Sequence, residues 1–248
     1  MTIELIVLTK SDKQGNFCVA GIRTDDGSWI RLENENVDGY AMSEDDITYS
    51  DGSKMKELDV ISVECEQAPD TVMYEYHPYW GDDVMELELK YQPENYLIDA
   101  ETGIQKIRTS TWSEVLNLHP AETKNYILAS PNQCMTLEKA NNLYVPKSLQ
   151  LVHVTNLRIG TSEQNYGHVH PRAEFDYQNR DGQTLHYNLT VTDPDYKEQA
   201  EEEVYEDAYL VISLGLPFSK DADDDLNCYL LIAKVITDYN PEPELEWV

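Results

Sequence analysis

Basic residues are scarce in this chain. Its 248 residues include 18 Lys and Arg against 47 Asp and Glu, which gives a formal net charge of −29. Hydrophobic residues still make up 41% of the chain, so a packed core is possible and the excess acid does not force disorder. Because duplex DNA is densely negative, this charge argues against a protein that binds duplex across its whole surface.

Long apolar runs and paired cysteines are also missing. No segment approaches the ~20 apolar residues that a membrane-spanning helix needs. The first residues have no basic segment before their short apolar stretch, so we expect neither a signal peptide nor a membrane partner. Four scattered cysteines show no CxxC spacing. They indicate free, mostly buried thiols in a cytoplasmic protein.

Motifs of the common enzyme classes are absent. The sequence contains no phosphate-binding loop, nucleophile elbow, HExxH or kinase signature. His168 and His170 have no third metal ligand nearby in sequence. Asp221, Asp223 and Asp225 have the spacing of a calcium loop, but the glycine and glutamate that such a loop requires are missing. We therefore expect a protein that is not an enzyme, with no catalytic residues, no metal and no cofactor.

Short segments of β character are what the sequence does contain. Residues 3–7 and 17–23 form the first two, and Asp25-Asp26-Gly27 is a strong turn signal before a third at 29–32. Further candidates are 58–65, 84–89, 96–98, 148–157, 173–177, 185–191, 210–214 and 228–236. Many short strands with few helical patterns are typical of small barrels or sandwiches.

The middle of the chain has a different pattern. Thr111-Trp-Ser-Glu114 has the form of a capping box, so a short helix is predicted to begin there and to end before Pro120. A second short helical piece is predicted within 133–141. The fold class is therefore mostly β, with two β modules joined by a short, partly helical connector. The predicted boundaries are 1–98 for the first module, 99–147 for the connector, 148–240 for the second module and 241–248 for an acidic tail.

Several polar motifs lie within these β segments and carry a family resemblance. In chain order they are Thr9-Lys-Ser-Asp-Lys13, Cys18-Val-Ala-Gly21, Trp29-Ile-Arg31, Gln92-Pro-Glu-Asn95, Thr190-Val-Thr-Asp-Pro194, Ile212-Ser-Leu-Gly-Leu-Pro-Phe218 and Cys228-Tyr-Leu-Leu-Ile-Ala-Lys234. Together they resemble the dual OB-containing domain family (DuOB) of bacterial proteins over roughly residues 1–236. Leu32 and Leu230 depart from that family, which tends to have Pro and Lys there. The resemblance implies two OB-like barrels and a nucleic-acid-sensing role in bacterial conflict systems.

The charge is distributed unevenly, and this suggests a candidate site. Residues 1–32 carry equal numbers of acidic and basic side chains, whereas residues 33–89 carry 17 acidic and two basic ones. OB barrels bind single strands with basic and aromatic side chains on one face. The predicted ligand-binding residues are Lys10, Ser11, Lys13, Arg23, Trp29, Arg31, Gln92 and Asn95. Lys and Arg would contact phosphate, and Trp29 would stack on a base.

Two functions stay open from the sequence. The first is a non-enzymatic recognition module for single-stranded nucleic acid or a nucleotide-like ligand in a bacterial defence system. The second is an acidic interaction subunit that docks on a basic protein or effector and mimics the charge of a nucleic acid. Each candidate residue also has a structural explanation: Trp29 as a core or rim aromatic, and Gln92 and Asn95 as hydrogen-bond partners of the backbone.

Overall fold

The computed structural model describes residues 1–13, 15–69, 72–77, 84–124, 126–128, 132–163, 169–196, 202–219 and 225–239. Within these residues it has 14 strands, two short α-helices and two 3-10 helices. The strands are β1 Thr2–Lys13, β2 Asn16–Arg23, β3 Trp29–Glu33, β4 Asp59–Gln67, β5 Val72–Tyr76, β6 Met85–Leu89, β7 Asn95–Ile98, β8 Ile104–Thr109, β9 Cys134–Thr136, β10 Leu149–Glu163, β11 Val169–Gln178, β12 Thr184–Val191, β13 Glu203–Phe218 and β14 Asn227–Ile236. The helices are α1 Trp112–Leu118 and α2 Leu137–Asn141, and the 3-10 helices are Asp38–Tyr40 and Pro194–Tyr196.

Five strands close the first barrel. β1 pairs with β2, β2 with β3, β3 with β7, β7 with β4, and β4 returns to β1. The β3–β7 pair is parallel and the others are antiparallel. Alternate side chains of β1, namely Ile3, Leu5 and Val7, point into this barrel's core. β8 adds to β4 outside the ring.

The second barrel repeats the same order of strands. β10 pairs with β11, β11 with β12, β12 with β14, β14 with β13, and β13 returns to β10. Again the pair that links the third and fifth strands, β12–β14, is parallel. The prediction of a mostly β protein with two OB-like modules is confirmed, because both rings are closed five-stranded barrels with few helices around them.

A hairpin from the first barrel packs on the core of the second. β5 and β6 lie between the fourth and fifth strands of the first ring and pair only with each other in the described sheets. Tyr76, Leu87, Leu89 and Tyr91 from this excursion belong to the second barrel's core. The Tyr91 hydroxyl donates a 2.8 Å hydrogen bond to the carbonyl of Gly215. The first barrel therefore contributes side chains to the core of the second.

A separate apolar layer lies between the barrels. The outward side chains Ile6 and Leu8 of β1 meet Leu151 and Ala233 of the second barrel, with Val115 of α1 at the same layer. Both faces of β1 are apolar, so both must be covered by other elements. The barrels are thus packed side by side through an interior-like interface.

The predicted helices are both present. Thr111 caps α1, because its hydroxyl accepts a hydrogen bond from the Glu114 amide, and α2 occupies part of 133–141. The module boundaries stay predictions. Within the stretch predicted as connector, β8 pairs with the first sheet and β9 with the second. The predicted tail at 241–248 lies outside the described residues.

Two further expectations concern cysteines and the membrane. All four cysteines are free thiols. Cys65 and Cys228 are buried, while Cys18 and Cys134 are half-buried. Across the described ranges, no helix combines the length and apolar character that crossing a bilayer requires.

Candidate ligand site at the junction of the two barrels

The two N-terminal lysines bind backbone carbonyls of their own barrel. Lys10 Nζ donates a 3.0 Å hydrogen bond to the carbonyl of Met55 and lies 5.6 Å from the ring centroid of Phe17. Lys13 Nζ donates a 2.6 Å hydrogen bond to the carbonyl of Gly39, and burial lowers the pKa of Lys13. Both ammonium groups thus have partners within the protein.

Arg23 and Ser11 lie apart from a common binding face. The Arg23 guanidinium donates two hydrogen bonds of 2.8 and 2.6 Å to the Asp25 carboxylate. Asp26 lies 3.8 Å from the Nε of Arg23. Ser11 is buried on β1. The four cations predicted to contact phosphate therefore do not form one exposed basic surface.

Arg31 lies inside the interface rather than on a surface. All five residues of β3 are buried, and Arg31 is only 5% exposed. Its Nη2 donates a 3.1 Å hydrogen bond to Ser213 Oγ on β13 of the second barrel. Burial opposes its charge, but the nearby Cys18, Glu94 and Glu33 outweigh burial and raise the pKa of Arg31.

Gln92 and Asn95 complete a buried polar network with this arginine. Asn95 Nδ2 donates to Glu33 Oε1 at 2.9 Å and to Gln92 Oε1 at 3.2 Å. Glu94 Oε1 accepts a 2.7 Å hydrogen bond from the amide of Ser148 and a second one from its hydroxyl. Burial raises the pKa of Glu33. We call Arg31, Glu33, Gln92, Glu94, Asn95, Ser148 and Ser213 the junction network.

The predicted site residues therefore separate into two groups. Arg31, Gln92 and Asn95 come together in the junction network, and the Lys13 charge is near enough to interact with Glu33 and Arg31. Lys10, Ser11 and Arg23 have no contact with this network among the described residues. Trp29 lies in the apolar layer between the barrels. Ligand binding by this set stays a prediction, but the structure does not display it on one accessible face.

A second polar joint crosses between the barrels at Lys234. Its Nζ lies 2.5 Å from Asp195 Oδ2, 3.3 Å from Asp193 and 3.7 Å from Glu57 of the first barrel. Burial opposes the ammonium charge, but these carboxylates raise the pKa of Lys234. The amide N–H of Val235 donates a 3.0 Å hydrogen bond to Asp193 Oδ2. These contacts give structural roles to Asp193 of the Thr-Asp-Pro motif and to Lys234, the last residue of the motif that begins at Cys228.

A cavity of about 490 Å³ lies where the first barrel, α1 and the start of β10 meet. We call it the junction cavity. Its walls include Trp29, Tyr96, Leu118, His119, Lys147 and Leu149, together with three prolines. Asp26, Ser28 and Glu94 also line it, so flat and apolar side chains lie beside several polar and charged ones. A concave site that combines apolar walls with convergent polar groups suits a small ligand.

Two buried polar atoms of residues that line this cavity have no hydrogen-bond partner among the described residues: Trp29 Nε1 and His119 Nε2. His119 Nδ1 lies 2.8 Å from the carbonyl of Gly27, so it must carry the proton, since a carbonyl only accepts. His119 Nε2 lies 3.7 Å from Glu122 Oε2. Lys147 forms an ion pair with the other oxygen of Glu122.

The turn before β3 shapes this cavity. Gly27 has a φ of +68°, and a Cβ there would lie 2.4 Å from the carbonyl oxygen of Leu118. Only glycine allows both the left-handed backbone and this close approach to α1. This turn places the Trp29 ring against that of His119, with ring centroids 5.4 Å apart and an interplanar angle of 71°.

His119, Glu122 and Lys147 were not singled out from the sequence. They lie in the stretch predicted as connector, and no metal or catalytic spacing marks them. The nearest feature predicted from the sequence was the end of a helix at Pro120, next to His119. Only the folded structure brings His119 and Lys147 to one cavity with Trp29, with Glu122 in contact with both.

Among the residues that the structure describes, the equivalent face of the second barrel is not covered by the first barrel. Arg158 of β10 pairs across to Glu174 of β11, which pairs with Asn188 of β12. Their side chains and those of Asp176 and His186 point away from the core formed by the alternate residues. We call these five residues the open face. Arg158 is 60% exposed, and His186 lies 3.0 Å from Asp176.

Metal ligands do not cluster in the part of the chain that the structure describes, where no group of three His, Cys, Asp or Glu side chains could hold an ion. His168, Asp221 and Asp223 lie outside the described residues.

Comparison with known proteins gives one extensive match. The family model described as a dual OB-containing domain matches residues 3–77 and 83–235. No curated protein matches significantly. The crystal structure of the tetrameric p202 HIN2 aligns with 96% of this chain and 92% of its own chain, at 9% sequence identity and a TM-score of 0.27. A structural similarity this low gives no information about function.

Proposed function

The protein belongs to the dual OB-containing domain family, and from that premise we propose that it is a non-enzymatic recognition module that binds single-stranded nucleic acid in a bacterial defence or conflict system. OB barrels bind oligonucleotides on the face formed by their second and third strands. In the first barrel the third strand is buried throughout. The observation that supports the proposal is that the same face of the second barrel is open.

The open face offers the mixed chemistry that single strands require. Arg158 supplies a positive charge that is 60% exposed and lies 4.0 Å from the similarly exposed Glu202. His186 supplies an imidazole ring and Asn188 an amide. Arg172 lies beside them, donating from Nε to Asn188 Oδ1 at 2.6 Å and from Nη1 to Thr190 Oγ1 at 3.0 Å, so its guanidinium is held in place. Glu174 and Asp176 share the face, so we expect weak, salt-sensitive binding to short strands rather than to duplex.

Titration of labelled 12-nucleotide DNA and RNA tests this proposal. Binding should be measured by anisotropy at low and moderate salt for the wild type, Arg158→Glu and Lys54→Glu. Both variants change the net charge equally, but Lys54 lies in the first barrel beside Glu44. We expect Arg158→Glu to weaken binding at least threefold and to reduce the salt slope by about 0.7. Equal effects of the two variants, or no binding at low salt, would overturn the proposal.

A second function has its own observation. The N-terminal cations are paired inside the protein or buried, so the net charge of −29 is left without a compensating basic surface there. A basic protein partner would be attracted by this field, and their association rate would fall as salt rises. A salt-sensitive complex with a basic protein, combined with no binding to either strand, would favour this alternative.

A further inference from the structure

We propose that the junction cavity binds a small planar ligand with a lactam edge, a ring N–H beside a ring C=O, of the kind carried by uracil, guanine and hypoxanthine. This site is separate from the open face, so the two proposals can fail independently.

Unpartnered polar atoms are the first observation. Buried polar groups in proteins nearly always have hydrogen-bond partners, and leaving one unpaired is costly. Within the described residues, seven buried side-chain atoms lack a partner, and three of them belong to Trp29, His119 and Glu122. Trp29 is only 8% exposed and lines the cavity. His119 lines it too, whereas Glu122 lies outside its lining, so two unpartnered lining atoms, one a donor, point to a polar ligand.

The identity of these atoms defines the ligand's edge. Trp29 Nε1–H is a donor and needs an acceptor such as a carbonyl oxygen. A neutral His119 presents Nε2 as an acceptor, because its proton is held on Nδ1 by the Gly27 carbonyl. A ring N–H of the ligand supplies the donor that this nitrogen needs. Glu122 Oε2 lies 3.7 Å from Nε2 but outside the cavity lining.

The walls define the ligand's shape and charge. Trp29, Tyr96 and three prolines give flat apolar surfaces, and about 490 Å³ accommodates a nucleoside. Lys147 is the cation at the wall, but it already forms an ion pair with Glu122 and lies 4.4 Å from the ring centroid of Tyr126. A base or nucleoside is therefore favoured over a polyphosphate.

The experiment compares nucleosides that differ in one N–H group. Calorimetric titration of the full chain with uridine, inosine and guanosine should give binding to at least one of them. The N-methylated form of that nucleoside, which lacks the ring N–H, should bind about tenfold more weakly, the loss expected for one hydrogen bond. Equal binding of both forms would overturn the lactam assignment. No heat with any of the three at millimolar concentration would overturn the site.

Two variants locate the binding. Trp29→Phe removes the indole N–H but keeps an aromatic ring, and His119→Phe removes the ring nitrogens but keeps a flat ring. Each should weaken nucleoside binding about tenfold. Trp112→Phe and Arg158→Glu are the controls, and both should bind as the wild type does. If Trp29→Phe does not fold, His119→Phe alone decides, and wild-type affinity in that variant would overturn the proposal. Loss of strand binding with nucleoside binding intact would overturn only the proposed function.

Discussion

Arg31 Nη2 of the first barrel lies 3.1 Å from Ser213 Oγ of the second, so two residues 182 positions apart in the chain are joined by a buried hydrogen bond. Both side chains are nearly inaccessible to solvent. The arginine that the sequence suggests for phosphate contact instead helps to hold the barrels in a fixed arrangement. The same explanation covers Asn95, which donates to Glu33 beside it, and Gln92, which accepts a hydrogen bond from Asn95.

Removing the Arg31 charge should therefore destabilise the fold. In Arg31→Met the buried carboxylates of Glu33 and Glu94 lose their nearby cation, and breaking a buried ionic network from one side costs about 3–5 kcal/mol. Ser213→Ala should cost about 1 kcal/mol, the value of one hydrogen bond. The free energy of unfolding, measured by urea denaturation, tests both.

Arg23→Met is the matched control for this prediction. Arg23 pairs with Asp25 at the protein surface, where an ion pair contributes at most about 1 kcal/mol. If Arg31→Met were no more destabilising than Arg23→Met, the junction network would not be structural, and a ligand-binding role for Arg31 would regain support.

Much of the fold could be predicted from alternating residues and turns. Residues 3–7 and 17–23 are strands, and Gly27 forms the turn before β3, where the amide of Arg23 donates to the carbonyl of Ser28 at 2.9 Å. The closure into two barrels came from the family resemblance, because alternation gives strands but not their partners. Distant pairs such as β3 with β7 are set by packing that no local pattern records.

The site was less predictable because burial depends on the neighbouring barrel. Trp29 and Arg31 point outward from their own barrel, as the alternation indicates, but that outer face is covered by the second barrel. The sequence of β1 does indicate this covering, because its outward residues Ile6 and Leu8 are as apolar as its inward ones. A strand that is apolar on both faces must be buried on both. Trp29 and His119, whose unpartnered polar atoms meet at the junction cavity, are far apart in sequence, so only the structure could bring them together.

Gly27→Ala should destabilise the protein more than an ordinary turn substitution. The residue needs a left-handed φ of +68°, and its new Cβ would lie 2.4 Å from the Leu118 oxygen. We expect a loss of about 2–4 kcal/mol from backbone strain and the clash together. Gly182→Ala, with a φ of +74° and nothing within 4 Å of its Cβ, should show the strain alone, about 1 kcal/mol. Equal losses of unfolding free energy in the two variants would show that α1 does not press on this turn.

Glu114 should give the protein a specific sensitivity to acid. Its carboxylate accepts hydrogen bonds from Arg108 at 2.8 and 2.5 Å and from the Ser110 hydroxyl at 2.6 Å, which lower its pKa to about 2. Because the folded-state pKa is below the unfolded one, the stabilisation is present above about pH 4.5 and is lost as pH falls toward 2. Glu114→Gln should therefore be less stable than the wild type near pH 6, by about 0.5–1 kcal/mol for a half-exposed helix-terminal pair.

The gap in unfolding free energy between wild type and Glu114→Gln should shrink from pH 4.5 downward and be mostly lost by pH 2, the folded-state pKa. Denaturant titrations at several values between pH 2 and 7 measure it. The matched test repeats the comparison in an Arg108→Ala background, where the main cause of the low pKa is gone and the gap at pH 6 should be smaller. A gap that stays constant from pH 7 to pH 2 would show that the Arg108 pair does not hold this carboxylate ionised. In that case the loss of stability would have to come from another part of the α1 cap, such as the hydrogen bond that the Thr111 hydroxyl accepts from the Glu114 amide.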